Sequence, residues 1–331
     1  MRVLIVGGAG YLGSHLVRLF IRAGLEVVVI DNLSSGHREM LPSDVPFHPL
    51  DMGLIRAVEN VLGAAPIDCC VICAILSGAN RSVRMPFPFY HNNFIGVFYL
   101  LQALLRQNVK NVLFRSSLKI YGESPPLPIS PSTPRNPGTP FATSLCHCED
   151  LLDDLASSDD LNFVSLRLGS IGGALRDGSL GALPNGSSQL VATAMDVALG
   201  SRPCFRLRGS NLPTRDGSPL VELLHICDVG NAFLQALRAI AMGGRRGGHR
   251  LNLGTGNPIS VREFIGLAED VTHRSIAVEE MEKFPGEADE TRVDPRHGAL
   301  EFGWCTELSM EQIIHDAWQW RQRGAEKLKN L

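Results

Sequence analysis

The segment from Val3 to Asp31 constrains the fold more than any other part of the chain. Val3 to Val6 reads as a short buried strand, Gly7, Gly10 and Gly13 follow it, and an amphipathic helix runs on through Arg22. A second strand, Glu26 to Ile30, ends at Asp31. A strand, a glycine turn, a helix and a second strand closing on an acid form a dinucleotide-binding crossover. The first glycines permit a tight turn. The next lets backbone approach a pyrophosphate at the helix N-terminus, where unpaired N–H groups attract negative charge. Gly13 lets the helix pack close to the strand. Glycine spacing alone is weak evidence, because turns are rich in glycine; the flanking elements and Asp31 supply the context. A carboxylate at Asp31 can accept hydrogen bonds from both adenosine ribose hydroxyls, whereas a 2′-phosphate would meet like charge. NAD(H) is therefore expected in preference to NADP(H). The competing reading of Asp31 is a helix cap.

Further apolar strands are expected at Cys69 to Ile75, Val112 to Arg115 and Phe163 to Leu168, separated by helices such as Phe94 to Gln107 and Leu145 to Ala156. This alternation predicts an α/β fold, a doubly wound parallel sheet of the Rossmann type. Residues 1–168 are expected to form the core. Residues 169–331 form mainly a smaller α/β substrate lobe, some of whose strands and helices return to the core. The proline-rich stretch Ser124 to Pro140 and the Gly/Ser-rich stretch Gly172 to Ser188 read as irregular excursions. The last predicted helix, Met310 to Arg323, carries Trp318 and Trp320.

At 331 residues, 44% apolar and 20% charged, the chain can bury a large core. A net charge of -3 with interspersed signs gives no electrostatic reason to expect nucleic acid or an anionic membrane as partner. No apolar run approaches the ~20 residues of a membrane span. The start, MRVLIVGGAG, passes directly into the first strand without a secretory pattern, so a cytoplasmic location is the expectation. The 8 cysteines are expected to remain thiols. Cys146, His147 and Cys148 suggest a metal cluster, but adjacent helical positions diverge by about 100° and cannot all face one ion, so no metal is expected.

The segments VGGAGYLGSHL, DNLSSG, NNFIG, SSLKIYG, TRDG, LHICDVGNA, LNLGTGNPISV and FGW, with Asp51, span nearly the whole chain in order. Together they resemble the extended short-chain dehydrogenases, and within them the UDP-glucose 4-epimerase group. The resemblance implies an NAD domain, a substrate lobe and, between them, a cleft in which a sugar hydroxyl is oxidised and re-reduced. It also implies a homodimer formed through two long helices per subunit. The cofactor residues it implies are Gly7, Gly10, Tyr11, Leu12, Gly13, Asp31, Asn32, Ser35, Gly36, Asp51, Met52, Asn93 and Ser117.

Several positions depart from the family pattern. The family's acid–base pair is a Tyr and, four residues later, a Lys; here these positions are Phe141 and Leu145. A phenol with an ordinary value near 10 needs a nearby cation to act as a base at neutral pH. Phe141 has no proton to exchange and Leu145 no charge to lend. Val221 and Phe284 stand where the resemblance places arginines that clamp a diphosphate, and Ser170 where it places a substrate-contacting Asn. Val and Phe cannot imitate the bidentate contacts of arginine.

Ser117 matches the family's catalytic Ser/Thr. Lys119 occupies a place that carries a catalytic carboxylate in related dehydratases. A lysine partly desolvated in the cleft could act as a general base; the other reading is a surface lysine at a strand end. Three functions follow. The first is an enzyme acting on a sugar, nucleoside or related polyol with nonstandard acid–base residues, Ser117 and Lys119. The second is a catalytically silent NAD-binding partner or regulatory subunit. The third is a sugar-nucleotide 4-epimerase with displaced catalytic groups.

Overall fold

The computed structural model describes residues 1–183, 189–242 and 244–327, with side chains as far as residue 324. In chain order the first strands are β1 (Arg2–Val6), β2 (Glu26–Ile30), β3 (Phe47–His48), β4 (Cys69–Ile72), β5 (Asn111–Ser117) and β6 (Asn162–Leu168). The short strands β7 (Ser170–Gly172), β8 (Phe205–Arg208), β9 (Leu220–Val221) and β10 (Leu223–His225) follow, then β11 (Gly248–Leu253), β12 (Ile259–Ser260) and β13 (Val278–Met281). Seven strands form one parallel sheet in the order β11-β6-β5-β4-β1-β2-β3.

The continuous apolar runs of β1, β2 and β4 reflect burial on both faces, as parallel strands covered by helices require. Side-chain alternation sends Val3 and Ile5 into one layer and Leu4 and Val6 into the other. Helices α1 (Tyr11–Arg22), α2 (Ile55–Gly63), α3 (Ala79–Arg84), α4 (Pro86–Phe89), α5 (Val97–Arg106) and α6 (Pro140–Ser158) belong to the first half of the chain. The remainder are α7 (Leu190–Ala198), α8 (Ile226–Leu237), α9 (Val261–Thr272), α10 (Arg296–Phe302) and α11 (Met310–Lys327). α1 and α8 cover the face of Val3, while α2, α5 and α6 cover that of Leu4. A separate apolar cluster joins α7, α9 and α11 with β8 in the second lobe. No described helix is long and apolar enough to cross a membrane.

The glycine turn, α1 and β2 fall where the sequence predicts them, and other elements shift. β4 ends at Ile72 rather than Ile75, releasing Cys73 into the loop above the sheet. α6 starts at Pro140, not Leu145: the Thr139 hydroxyl accepts the Ala142 N–H at 3.3 Å, and Pro140 occupies the first helical position, where its missing N–H costs nothing. The helix expected from Phe94 is preceded by a π-helical stretch, Tyr90–Gly96, that runs into α5. The excursion expected at Gly172 to Ser188 begins with Gly172 inside β7, and residues 184–188 lie outside the described residues. The edge strand β11, unassigned in the sequence reading, pairs Leu253 with Leu168 of β6.

A buried ion pair ties these parts together. Arg167 of β6 donates to Glu149 of α6 from Nε (3.1 Å) and Nη2 (2.6 Å), and from Nη1 to the Tyr121 hydroxyl (2.5 Å). That hydroxyl donates in turn to Asn252 Oδ1 of β11 at 2.7 Å. Removing one member leaves the other charge stranded, whereas removing both does not. Glu149→Leu is therefore expected to cost about 3–5 kcal/mol of unfolding free energy in urea titrations. The double variant E149L/R167M is expected to recover a large part of that loss.

Candidate active site

The carboxyl ends of β1, β4 and β5 open onto a cleft of about 730 Å³. At its centre, α1 begins at Gly10, which offers no side-chain cap, so the N–H groups of the first turn face the cleft unobstructed. Gly7 has a φ of 83°, and a Cβ there would lie 2.4 Å from the Ala74 nitrogen. A Cβ on Gly13 would come within 2.1 Å of the Gly7 carbonyl oxygen. At Gly10 the nearest atom would be 3.5 Å away, so that position opens toward the cleft. Two glycines thus allow close packing of the turn, and the third leaves room for a ligand to approach the backbone.

On the β2 side, Asp31 is buried, with its carboxylate held by two amides: Oδ2 accepts from Ala9 N at 2.9 Å and Oδ1 from Leu33 N at 2.8 Å. A carboxylate has about four acceptor sites, so hydroxyls of a ligand can still be received. The helix-cap reading of Asp31 does not hold; it caps the glycine turn and its own loop. Asp51 Oδ2 accepts from Asn32 Nδ2 at 2.7 Å, and Oδ1 from Gly53 N at 2.8 Å, which places Asn32, Asp51 and Met52 together at this end. Ser35 is exposed on the rim. Gly36 is packed so close that a Cβ would meet the Ala9 carbonyl carbon at 2.8 Å. Tyr11 and Leu12 line the cleft, and the Tyr11 hydroxyl donates to the Gly173 carbonyl at 2.8 Å. Burial raises the Tyr11 phenol far above its ordinary value.

The other end of the cleft is walled by the loop from Cys73 to Gly78, by Asn92 and Arg115, and by Ile171, Ala182, Leu183 and Gln189. Arg115 was not anticipated as a site residue. The signal available was its place two residues before Ser117, on the same side of the strand.

Asn93 takes a different place from the one expected. Its side chain is wholly buried behind the wall: Oδ1 accepts from Leu76 N at 2.8 Å, while Nδ2 donates to Leu76 O at 3.1 Å and to the Ser144 hydroxyl at 3.2 Å. It shapes the loop beneath the cleft, and its neighbour Asn92 is the one that reaches the lining. Ser117, at the end of β5, contacts the Leu168 carbonyl at 3.4 Å and accepts the Lys119 N–H at 3.2 Å.

Lys119 lies at the surface. The chain enters a tight 3₁₀ turn, Leu118–Tyr121, which carries the lysine outward. Its Nζ sits 3.0 Å from Glu287 Oε1 with the side chain 42% exposed, outside the cleft lining. Of the two readings of Lys119, the surface lysine at a strand end is the one this exposed ion pair matches. Phe141 and Leu145 are buried in the apolar layer between α5, α6 and the sheet, and the Phe141 ring meets Phe89 edge-on at 6.3 Å. Cys146 and Cys148 are buried on α6, whereas His147 is exposed beside Phe94 at 5.5 Å.

The model of the NAD dependent epimerase/dehydratase family matches residues 3–254. The chain belongs to that family. It is 30% identical to the UDP-glucose 4-epimerase of Bacillus subtilis over 100% of its own length and 99% of the relative's. It is 31% identical to that of Drosophila melanogaster, with 97% of each covered. Among solved structures it superposes with a TM-score of 0.93 and 27% identity on the Stenotrophomonas maltophila UDP-glucose 4-epimerase with bound NAD and formylated UDP-arabinopyranose, covering 99% of both chains. The Brucella ovis enzyme in complex with NAD gives 0.91 and 30%, covering 96% of this chain and 97% of that one.

The cradle separates packing from binding. Gly13→Ala is expected to lower unfolding free energy by about 1–3 kcal/mol through its clash with Gly7. Gly10→Ala, entering open space, should leave the melting temperature nearly unchanged while weakening NAD binding by roughly tenfold or more in calorimetric titrations.

Proposed function

We propose that this chain is an NAD-binding member of its family that has given up UDP-sugar 4-epimerisation and acts as a silent partner or regulatory subunit. The cradle supports the cofactor half of this reading. The uncapped α1 N-terminus suits a pyrophosphate, and Asp31 suits unphosphorylated ribose hydroxyls, favouring NAD(H) over NADP(H). When bound, NAD would supply hydride chemistry, and Gly10 to Gly13, Asp31, Asn32 and Asp51 would hold it.

The observation that carries the reading is the chemistry of the far end of the cleft. A proton-transfer group works best with a value near the operating pH. Among the described residues there, the titratable lining consists of Arg115, which stays protonated, Arg81 at the exposed rim, Cys73, whose thiol burial pushes up to about 12, and Tyr11, whose phenol burial raises far above its ordinary value. The rest are amides, hydroxyls and apolar groups. Phe141 and Leu145 add nothing that titrates.

A second reading, catalysis by Ser117 and Lys119 on a sugar, nucleoside or polyol, draws on their placement in one turn, where the Lys119 backbone N–H donates to the Ser117 hydroxyl at 3.2 Å, and on the Lys119–Glu287 ion pair. For the substrate lobe, Val221 and Phe284 offer no ionic contact to a diphosphate.

The expected outcome is negligible interconversion of UDP-glucose and UDP-galactose alongside measurable NAD binding. Each positioned proton-transfer group contributes about 10²–10⁴-fold, so losing a pair is severe. Turnover at a family-like rate would overturn the proposal, and its loss in Lys119→Met would support the second reading.

We further propose a homodimer. Val83, Met85, Phe87, Ile95, Phe98 and Tyr99 are exposed along one stretch from α3 to α5, with Phe87 85% accessible. An apolar surface of this kind marks an association site. Sedimentation is expected to give a dimer for the wild type and a monomer for F87D/F98E.

A further inference from the structure

The sheet order fixes where the two halves of a dinucleotide lie. With adenosine at Asp31 on β2 and pyrophosphate at the α1 N-terminus above β1, the remaining half must cross toward β4 and β5. Arg115 stands there. Its neighbour Leu113 belongs to the layer under α1, so strand alternation puts Arg115 and Ser117 on that same face, at the carboxyl end of β5.

Arg115 differs from other arginines of this chain in its surroundings. Arg167, Arg250, Arg262 and Arg296 each pair with a carboxylate. Arg115 makes no hydrogen bond or ion pair among the described residues, yet it is walled by protein and reaches solvent only partly, as part of the cleft lining. Cys73 is the titratable group acting on it, and a thiol raised to about 12 stays neutral and offers no counter-charge. Burial pulls the guanidinium down from its ordinary value, but arginine remains charged at any working pH. A desolvated, unpaired cation is costly, and such groups are found where a ligand completes them.

We propose that Arg115 lies beside the nicotinamide half of bound cofactor and makes the cleft discriminate between the two redox forms, holding NADH more tightly than NAD⁺. The physics is charge repulsion. The oxidised ring carries a positive charge and the reduced ring none, while both forms carry the same pyrophosphate. Attraction of Arg115 for the phosphates therefore cancels in the comparison, and its repulsion of the oxidised ring remains. Among the described residues no carboxylate acts on Arg115 to offset this repulsion. The inference rests on the cofactor reading above and extends it: a silent subunit with such a site would report the ratio of NADH to NAD⁺ rather than total NAD.

The test compares dissociation constants of the full-length protein for NAD⁺, by calorimetry, and for NADH, by its fluorescence, in wild type, R115M, R115Q and R115K. The wild type is expected to favour NADH. Both neutral variants should reduce the ratio Kd(NAD⁺)/Kd(NADH) by about tenfold, the size of a like-charge interaction across about 10 Å at an effective dielectric near 20. R115K, keeping the charge, should retain most of the preference. R115Q guards against misfolding of R115M, and matched melting temperatures qualify each comparison. An unchanged ratio in a folded neutral variant, or equal losses of affinity for both forms, overturns the proposal while leaving the cofactor reading intact. Failure of the wild type to bind either form overturns both.

Discussion

The carboxylate of Asp31 is the joint on which the cofactor end of this molecule depends. By accepting the Ala9 N–H with one oxygen and the Leu33 N–H with the other, it clamps the glycine turn against the end of β2. A buried carboxylate must be satisfied by donors. Here the donors are the backbone of the two loops that a dinucleotide would bridge. The same group therefore sets the geometry of the cradle and supplies its preference for unphosphorylated ribose. Asn32 extends the arrangement to Asp51, so three loop ends are positioned by side chain–backbone and side chain–side chain bonds rather than by apolar packing.

The second lobe is anchored by a similar device. Glu222 is buried and, among the described residues, has no cationic partner. Its Oε2 accepts the Thr255 N–H at 2.8 Å and hydroxyl at 2.9 Å, while Oε1 accepts from Gly256 N and Val293 N, both at 3.0 Å. These contacts bind the β9–β10 region to the loop leaving the sheet edge at β11. The neighbouring Val221 is thus held in a defined place even though it brings no charge to a phosphate. Phe284 is similarly occupied: the Arg208 guanidinium stacks 3.7 Å from its ring centre, an energetically favourable contact.

How much of this was legible in the sequence follows from what each signal measures. The glycine turn, α1, β2 and Asp31 announce themselves because each position has a distinct steric or electrostatic requirement. β3 has only two residues and leaves no periodic trace. β11 reads GHRLNL, with polar residues throughout its first half, because it lies at the sheet edge and is only partly covered. For Asn93 the motif was visible but the side chain's direction was not: in the π-helical stretch Asn92 faces the cleft and Asn93 the core. Lys119 shows the same limit. Its distance from Ser117 along the chain is plain, while the 3₁₀ turn that sends it toward Glu287 depends on a partner 168 residues away. Arg115 is not legible as a site residue because its meaning comes from an absence, the lack of a paired carboxylate among the described residues, which only three dimensions reveal.

Phe141 and Leu145 suit the same apolar layer and depend on each other there. A lysine at the second position would place an ammonium where Leu145 is now fully buried among apolar side chains, and such a cation needs a partner or solvent. A tyrosine at the first position would bring a hydroxyl beside Phe89, where a phenol without a cation has no reason to ionise. The apolar character of each residue therefore suits that of the other. With both apolar, α6 packs on the sheet, and a charged residue lining that end of the cleft is Arg115 of the strand, which can hold an anion or repel a cation but cannot exchange a proton.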